Sequence, residues 1–118
     1  MAALSSHAWA QDEPAEATFD TELFCRAWTH SREESATTYR LASSREFPPS
    51  RFRMRYVFNE DGTCQWYYLH PTDRHHMRPG TWEIVGEEGD RVQILDEDGN
   101  RVKSFRVLEL TQDVLRLE

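Results

Sequence analysis

The stretch from Arg51 to His70, RFRMRYVFNEDGTCQWYYLH, constrains the fold more than any other part of the chain. Its first half alternates arginine or valine with large apolar residues, which is the two-residue period of a strand with one buried face. The next four residues, Asn-Glu-Asp-Gly at 59–62, predict a type I turn that glycine closes in the left-handed conformation. The stretch therefore predicts a β-hairpin whose inner face is aromatic.

The position of this turn sets the register of the hairpin. It predicts three cross-strand pairs, which are Phe58 with Cys64, Tyr56 with Trp66, and Met54 with Tyr68. All six side chains then lie on one face, and a slip of one residue would turn them all to the other face. The aromatics are crowded into this stretch because the inner face of the hairpin requires them.

Further short strands follow between turn signals along the chain. We predict a strand within 21–33 with a helical turn at its start, an edge strand at 37–41, a polar loop at 70–80, and strands at 81–85, 91–96, 101–110 (with a bulge near 108–110) and 114–117. About seven to eight strands with short turns and no convincing helix are typical of all-β antiparallel barrels. The predicted fold class is an antiparallel meander barrel.

The length of 118 residues suits one domain with a single core. Residues 1–20 lack periodicity and predict a disordered tail, and residues 21–118 form the predicted barrel domain. Within the tail, Ala8-Trp9-Ala10 has the small-x-small shape of a signal-peptidase site. It is either the remnant of an export signal or a chance match. On the first reading, the protein works in the periplasm or outside the cell.

The charge of the chain bears on its partners. Acidic residues outnumber basic ones 21 to 14, for a net charge of −7. Affinity for phosphate comes mainly from lysine and arginine, so this balance argues against nucleic acid and anionic membrane surfaces as general partners. No apolar run approaches the roughly 18 residues of a membrane span. We expect a monomer without membrane insertion and without a cofactor.

The order of these elements resembles small bacterial lipocalin-like domains. The matching pieces are an early strand with Trp28, then YVFNEDGTCQW, GTWEIV, VQILDEDGN and FRVLELTQDVLRL, and together they cover roughly residues 22–117. The resemblance implies a short meander barrel. It also raises the expectation of a ligand held inside or at the mouth of that barrel.

The candidate ligand-binding residues are the aromatic and apolar side chains that should face the barrel interior. They are Phe52, Met54, Tyr56, Phe58, Trp66, Tyr68, Trp82 and Phe105. A small barrel either packs its interior solid or encloses one small ligand. The polar tips of buried tyrosine and tryptophan need partners, which are either a ligand with a polar end or groups of the protein itself. The sequence leaves both alternatives open and favours a filled core.

Cysteine and histidine residues suggest two further sites, each with a plainer alternative. Cys25 and Cys64 form either one disulfide or two buried thiols, and the sequence favours the thiols. A second group, of ligand types that zinc or copper would accept, contains His70, Asp73, His75, His76 and Cys64. Its spacing matches no standard metal motif, so a solvated loop is favoured and no metal is predicted.

Arginines at 51, 53 and 55 form a stripe on the outward face of the hairpin. Guanidinium groups bind carboxylate or phosphate through two parallel hydrogen bonds. The commoner role of such a stripe is pairing with acidic side chains on a neighbouring strand, and this chain has many. The structural role is favoured for Arg51, Arg53 and Arg55.

The leading functional hypothesis is a non-enzymatic binding domain that accommodates a small apolar or amphipathic ligand at the barrel mouth. The alternative is a solid-core β-domain that meets a protein partner through a strand edge or through the arginine stripe. We do not expect an enzyme, because no acid, base and nucleophile occur together at a recognisable spacing.

Overall fold

The computed structural model describes residues 16–49, 52–69 and 75–118. They form one short helix and eight strands, which are α1 (Thr21–Phe24), β1 (Ala27–His30), β2 (Thr38–Leu41), β3 (Arg55–Phe58), β4 (Thr63–Leu69), β5 (His75–Val85), β6 (Arg91–Leu95), β7 (Arg101–Leu110) and β8 (Val114–Leu117). Residues 1–15 of the predicted tail lie outside this description. Residues 16–20 lie against the barrel, where the Thr18 N–H donates to the Gly89 carbonyl over 2.9 Å.

The strands close into an antiparallel barrel in the order β1-β2-β8-β7-β6-β5-β4-β3. This confirms the predicted fold class. Strands β3 to β8 follow one another as a meander, whereas β1 lies between β2 and β3 and pairs with both. The predicted edge strand at 37–41 is therefore wrong in one respect, since β2 has neighbours on both sides, β1 and β8.

The β3–β4 hairpin has the register that its turn predicts. Gly62 has a φ of 90°, and the Asn59 N–H donates to the Thr63 carbonyl over 2.9 Å. Two of the predicted pairs, Tyr56 with Trp66 and Phe58 with Cys64, are confirmed. The third, Met54 with Tyr68, lies beyond the described pairing because β3 begins only at Arg55.

Strand β5 begins six residues earlier than the sequence indicates. The predicted polar loop at 70–80 is wrong for residues 75–80, which pair with β4 from Leu69–His75 to Cys64–Gly80. Pro79 has no backbone N–H to donate, and the strand tolerates it because its nitrogen faces a side where no strand is paired. The Trp82 N–H donates toward β4, to the Gly62 carbonyl. Backbone nitrogens point alternately to the two sides of a strand. Pro79 is three residues before Trp82, so its nitrogen points away from β4. On that side β6 pairs only with Thr81–Val85, so no ladder bond is lost.

The segment before β1 closes one end of the barrel. The strand expected within 21–33 begins only at Ala27, and the helical turn expected at its start is α1, which the Asp20 side chain caps by accepting from the Glu22 N–H. The turn carries Phe24 into the core, where it is fully buried. The Trp28 indole N–H donates to the Phe24 carbonyl over 3.0 Å and fixes its position.

The connection between β2 and β3 runs the length of β1, because β1 separates these two strands. At one end the Ala42 N–H donates to the Ala27 carbonyl over 3.0 Å, and at the other the His30 N–H donates to the Met54 carbonyl over 2.9 Å. Thr29 points opposite to the inward-facing Trp28 and is nevertheless buried. The connection therefore covers the outer face of β1.

The irregularity expected in β7 is also present. The pairing of β7 with β8 shifts by one residue between Val107 and Glu109, which confirms the predicted bulge near 108–110. An extra residue at this point explains why the alternation of the sequence changes phase there.

Gly80 in β5 leaves no room for a side chain, because the Trp66 ring and the Leu95 carbonyl lie close to its Cα. A Cβ atom at Gly80 would lie 2.7 Å from Cζ3 of Trp66 and closer still to the Leu95 carbonyl oxygen. Gly80→Ala should therefore lower the free energy of unfolding by on the order of 1–3 kcal/mol. Urea unfolding measures this, with Thr81→Ala at the neighbouring exposed position as the control. Equal stability of the two variants would contradict the described packing.

Candidate functional site

The structure places most of the candidate ligand-binding residues in the barrel interior. Tyr56, Phe58, Trp66 and Phe105 are buried, with exposed fractions of 3%, 1%, 5% and 6%. Met54 and Trp82 are half-buried and pack against this core. Phe52 is half-buried at the approach to β3, and the Tyr68 side chain lies outside the described part of the structure. Binding of a ligand by these residues stays a prediction.

The inward aromatic rings contact one another. The Phe58 ring lies 4.2 Å from Phe24, 5.6 Å from Tyr56, 5.9 Å from Trp82 and 6.3 Å from Phe105, measured between centroids. Three of these distances lie in the usual range for favourable aromatic pairs, and the Phe24–Phe58 pair is stacked more closely. The described side chains thus fill the middle of the barrel, as the sequence favoured. Phe24 completes this packing and is not among the residues that the sequence analysis named as candidates.

The polar tips of the buried aromatics have partners within the protein. The buried Trp28 indole N–H donates to the Phe24 carbonyl over 3.0 Å. Burial raises the pKa of the Tyr39 and Tyr56 phenols. The Trp82 indole N–H donates to the Asn59 carbonyl over 2.8 Å. These indole N–H groups therefore have acceptors within the protein and do not require a ligand.

The two cysteines are free thiols, as the sequence favoured, but only Cys64 is buried and Cys25 is half-buried. Burial raises the pKa of Cys64 to about 12. Burial and the nearby carboxylates of Glu60 and Asp61 raise the pKa of Cys25 to about 11. Because the thiolate is the reactive form, both residues are poor nucleophiles near neutral pH.

The candidate metal ligands are only partly within the described structure. His70 and Asp73 lie outside it, as do the side chains of His75 and His76. Among the described residues, no group of three or more histidine, cysteine or acidic side chains is arranged to hold a metal ion.

Of the three arginines in the stripe, Arg53 forms an ion pair and Arg55 forms none among the described residues. Arg53 grips the Glu33 carboxylate with two hydrogen bonds of 2.8 Å and also donates to the carbonyls of His30 and Pro48. This residue fastens the β2–β3 connection to the end of β1, which is the structural role that the sequence favoured. Arg51 lies outside the described residues.

Arg55 has no such acidic partner among the described residues. Its guanidinium lies 5.7 Å from the centre of the Tyr67 ring, and its Nε atom is buried without a hydrogen-bond partner. A buried donor left without an acceptor costs about 1–3 kcal/mol.

A groove of about 510 Å³ lies beside Arg55 on the outer wall of the barrel. We call it the Arg26–Arg55 groove, and its lining residues are Arg26, Ala27, Leu41, Ala42, Ser43 and Arg55. It forms where the β2–β3 connection leaves β2 and passes over β1. The residues that line this groove are therefore two arginines, one serine and three small or apolar residues.

The second arginine of the groove is held by backbone carbonyls. The Arg26 Nε atom donates to the Leu23 carbonyl over 2.7 Å, and Nη2 donates to the Thr111 carbonyl over 3.3 Å. Its guanidinium also lies 4.9 Å from the centre of the Trp28 ring. In the described structure neither Arg26 nor Arg55 takes part in an ion pair, so neither charge is neutralised by a neighbouring carboxylate. No local sequence signal places Arg26 at this groove, because the groove depends on the pairing of β1 with β2 and β3.

Comparison with protein-family models, curated proteins and solved structures finds no match to this chain. The resemblance to lipocalin-like domains is therefore confirmed only as an eight-stranded closed antiparallel barrel, and membership of that family stays a prediction. No helix among the described residues is long and apolar enough to cross a membrane.

The ion pairs on the loop after β1 should make stability depend on pH. Hydrogen bonds from Arg53 lower the pKa of Glu33 to about 2, and those from Arg40 and Ser31 do the same for Glu34. A carboxylate with a lowered folded-state pKa stabilises above its unfolded value, 4.5 here, and loses that contribution as pH falls toward 2. The urea midpoint should therefore fall across this range, and Glu33→Gln should make the fall smaller.

The matched control for this measurement is Glu97→Gln. Glu97 is exposed and forms no ion pair among the described residues, so its replacement should leave the pH dependence unchanged. If both variants follow the wild-type curve, the Arg53–Glu33 contact does not hold the connection in solution.

Proposed function

We propose that this protein is a non-enzymatic binding domain with a solid core, which meets its partner on the outer surface of the barrel. The observation that carries the proposal is the set of ring contacts around Phe58, which fills the space that an internal ligand would occupy. A closed antiparallel barrel is compatible with a binding domain, and a filled one favours recognition at the wall.

The closed end of the barrel supports the same proposal. A ligand entering near the β3–β4 turn would have to displace Phe24, which is fully buried and stacked on Phe58 at an interplanar angle of 23°. Burying a phenylalanine side chain stabilises a protein by about 1.5–3 kcal/mol, so its displacement would offset much of the gain from binding.

The non-enzymatic part of the proposal is supported by the state of the thiols. Cys25 and Cys64 are the strongest nucleophile candidates, and their raised pKa values keep them protonated near neutral pH. The proposed place of action is outside the cytoplasm, which depends on Ala8-Trp9-Ala10 being a signal-peptidase site.

Removal of Trp66 tests whether the core is solid. Trp66 is 5% exposed and pairs with Tyr56, so Trp66→Ala should lower the free energy of unfolding by on the order of 3–5 kcal/mol. That is a large share of the roughly 5–15 kcal/mol that holds a domain together. Urea unfolding measures the loss, and a fluorescent hydrophobic dye should show no saturable binding to the folded wild type.

Tyr67→Ala is the matched control, since it removes a half-buried ring from the outward face of the same strand. It should cost clearly less stability than Trp66→Ala. The opposite pattern would overturn the proposal. In that case the wild type binds the dye, and Trp66→Ala abolishes the binding with little loss of stability, as expected for a residue that lines an open cavity.

A further inference from the structure

We propose that the outer face of β7 is an interface through which two copies of this chain form a dimer with two-fold symmetry. This inference rests on the proposed function, because it names a second copy of the chain as the partner that meets the outer wall of the solid barrel. The two β7 strands run antiparallel across the interface, and the symmetry axis passes Phe105 near the middle of each strand.

The register of β7 determines which of its side chains form this face. Phe105 is buried and pairs with the buried Val92, so both face the interior of the barrel. Side chains alternate along a strand, so Ser104 and Arg106 face outward, and Arg101 lines the same outer groove as these two. The outward residues of β7 are all exposed, and they are Arg101, Val102, Ser104, Arg106, Leu108 and Glu109.

The apolar residues of this face are placed symmetrically. Val102 and Leu108 are each 42% exposed, and they are the large hydrophobic side chains that lie exposed in the described structure. Each lies three residues from Phe105, one on either side. In the antiparallel arrangement Val102 of one copy therefore faces the partner's Leu108, and the same contact forms twice. Such self-complementarity is what a two-fold interface requires of a single surface.

The charged residues at the ends of this face follow the same symmetry. Arg101 and Glu109 each lie four residues from Phe105, so Arg101 faces the partner's Glu109. Arg101 is exposed and has no ion pair or hydrogen bond among the described residues. Glu109 lies 3.7 Å from Arg116, and its side chain is half exposed, so its carboxylate can accept from a second arginine. The dimer gives Arg101 the carboxylate that it lacks within its own chain.

The groove beside β7 favours a second copy over a small ion. It has a volume of about 440 Å³, and its charged lining residues are Glu87, Glu88, Asp90, Arg91, Arg101 and Arg106. Three acidic and three basic residues favour neither a free anion nor a free cation. Glu87 and Glu88 lie in the β5–β6 turn at one end of the groove, and Arg101 begins β7 at the other end. A reversed copy therefore brings the acidic end of one groove near the partner's Arg101.

The shape of the barrel limits the strength of this interface. The outer wall of a barrel is convex, so two copies touch along β7 and its neighbours, which buries less than about 1,200 Å² in total. Each copy carries a net charge of −7, but at 0.15 M salt their repulsion is screened beyond about 8 Å. We therefore expect a weak dimer, with a dissociation constant in the micromolar to millimolar range. This differs from the monomer expected from the sequence.

The test is charge reversal at the two ends of the interface, followed by sedimentation velocity of the full chain from micromolar to millimolar concentrations. The wild type should pass from monomer to dimer. Arg101→Glu places like charges opposite each other in its own dimer, as does Glu109→Arg, so each variant alone should dimerise about tenfold more weakly or worse. An equimolar mixture of the two variants should dimerise as the wild type does, because their heterodimer has opposite charges facing at both ends.

Glu60→Arg is the matched control, because it makes the same change of charge as Glu109→Arg at an exposed position in the β3–β4 turn, outside the proposed interface. It should leave self-association unchanged, and thermal melts should show that all three variants are folded. The inference is overturned if the wild type stays monomeric, if the mixture of variants stays monomeric, or if Glu60→Arg weakens the dimer as much as Glu109→Arg.

Amide chemical shifts locate the contact and separate this inference from the proposed function. Shifts that change with protein concentration at Val102, Ser104 and Leu108 would support the interface, and changes confined to another wall of the barrel would overturn it. A protein that stays monomeric overturns only the choice of partner, because the dye and Trp66→Ala experiments test the solid core independently. Saturable dye binding inside the barrel would overturn the proposed function and leave the dimer measurement unaffected.

Discussion

The packing of Phe58 joins parts of the chain that the sequence keeps far apart. Its ring contacts Phe24 from α1, Trp82 from β5 and Phe105 from β7, in addition to Tyr56 on its own strand. A closed barrel needs its first strands to meet its last ones, and backbone hydrogen bonds alone do not select which strands meet. The ring contacts of Phe58 favour this arrangement of strands because they bury aromatic side chains from distant parts of the chain together. Since these rings fill the interior, the outer wall is the surface on which recognition is expected.

The position of β1 between β2 and β3 determines what that outer wall contains. Since β2 and β3 are not neighbours, the chain between them has to cross β1. Arg53 fastens this crossing to the His30 carbonyl at the end of β1 and to the Glu33 carboxylate. The Arg26–Arg55 groove is the space left where the crossing begins. A simple meander would have paired β2 with β3 through a short turn, and no such groove would have formed. The candidate site is thus a consequence of strand order.

Local signals predicted the parts of this fold that depend on neighbouring residues, such as the register of Tyr56 with Trp66, which the turn at Gly62 determines. Local signals could not predict which strands pair when those strands are far apart in the sequence. Pro79 and Gly80 resemble loop residues in sequence, yet they belong to β5 because that stretch of β5 pairs on one side only. Arg53 and Arg55 are equivalent in the period-2 pattern, and only the course of the β2–β3 connection shows that the first meets Glu33 and the second does not.

Net charge and local charge act at different ranges in this molecule. The excess of acidic groups repels an anion at long range, but at 0.15 M salt the field of exposed charges is screened beyond about 8 Å. At short range, paired hydrogen bonds such as those from Arg53 to the Glu33 carboxylate act over a few ångströms and hold the β2–β3 connection in place. The charges that stabilise this fold therefore act through local geometry, whereas the net charge affects only how the molecule attracts or repels charged partners from a distance.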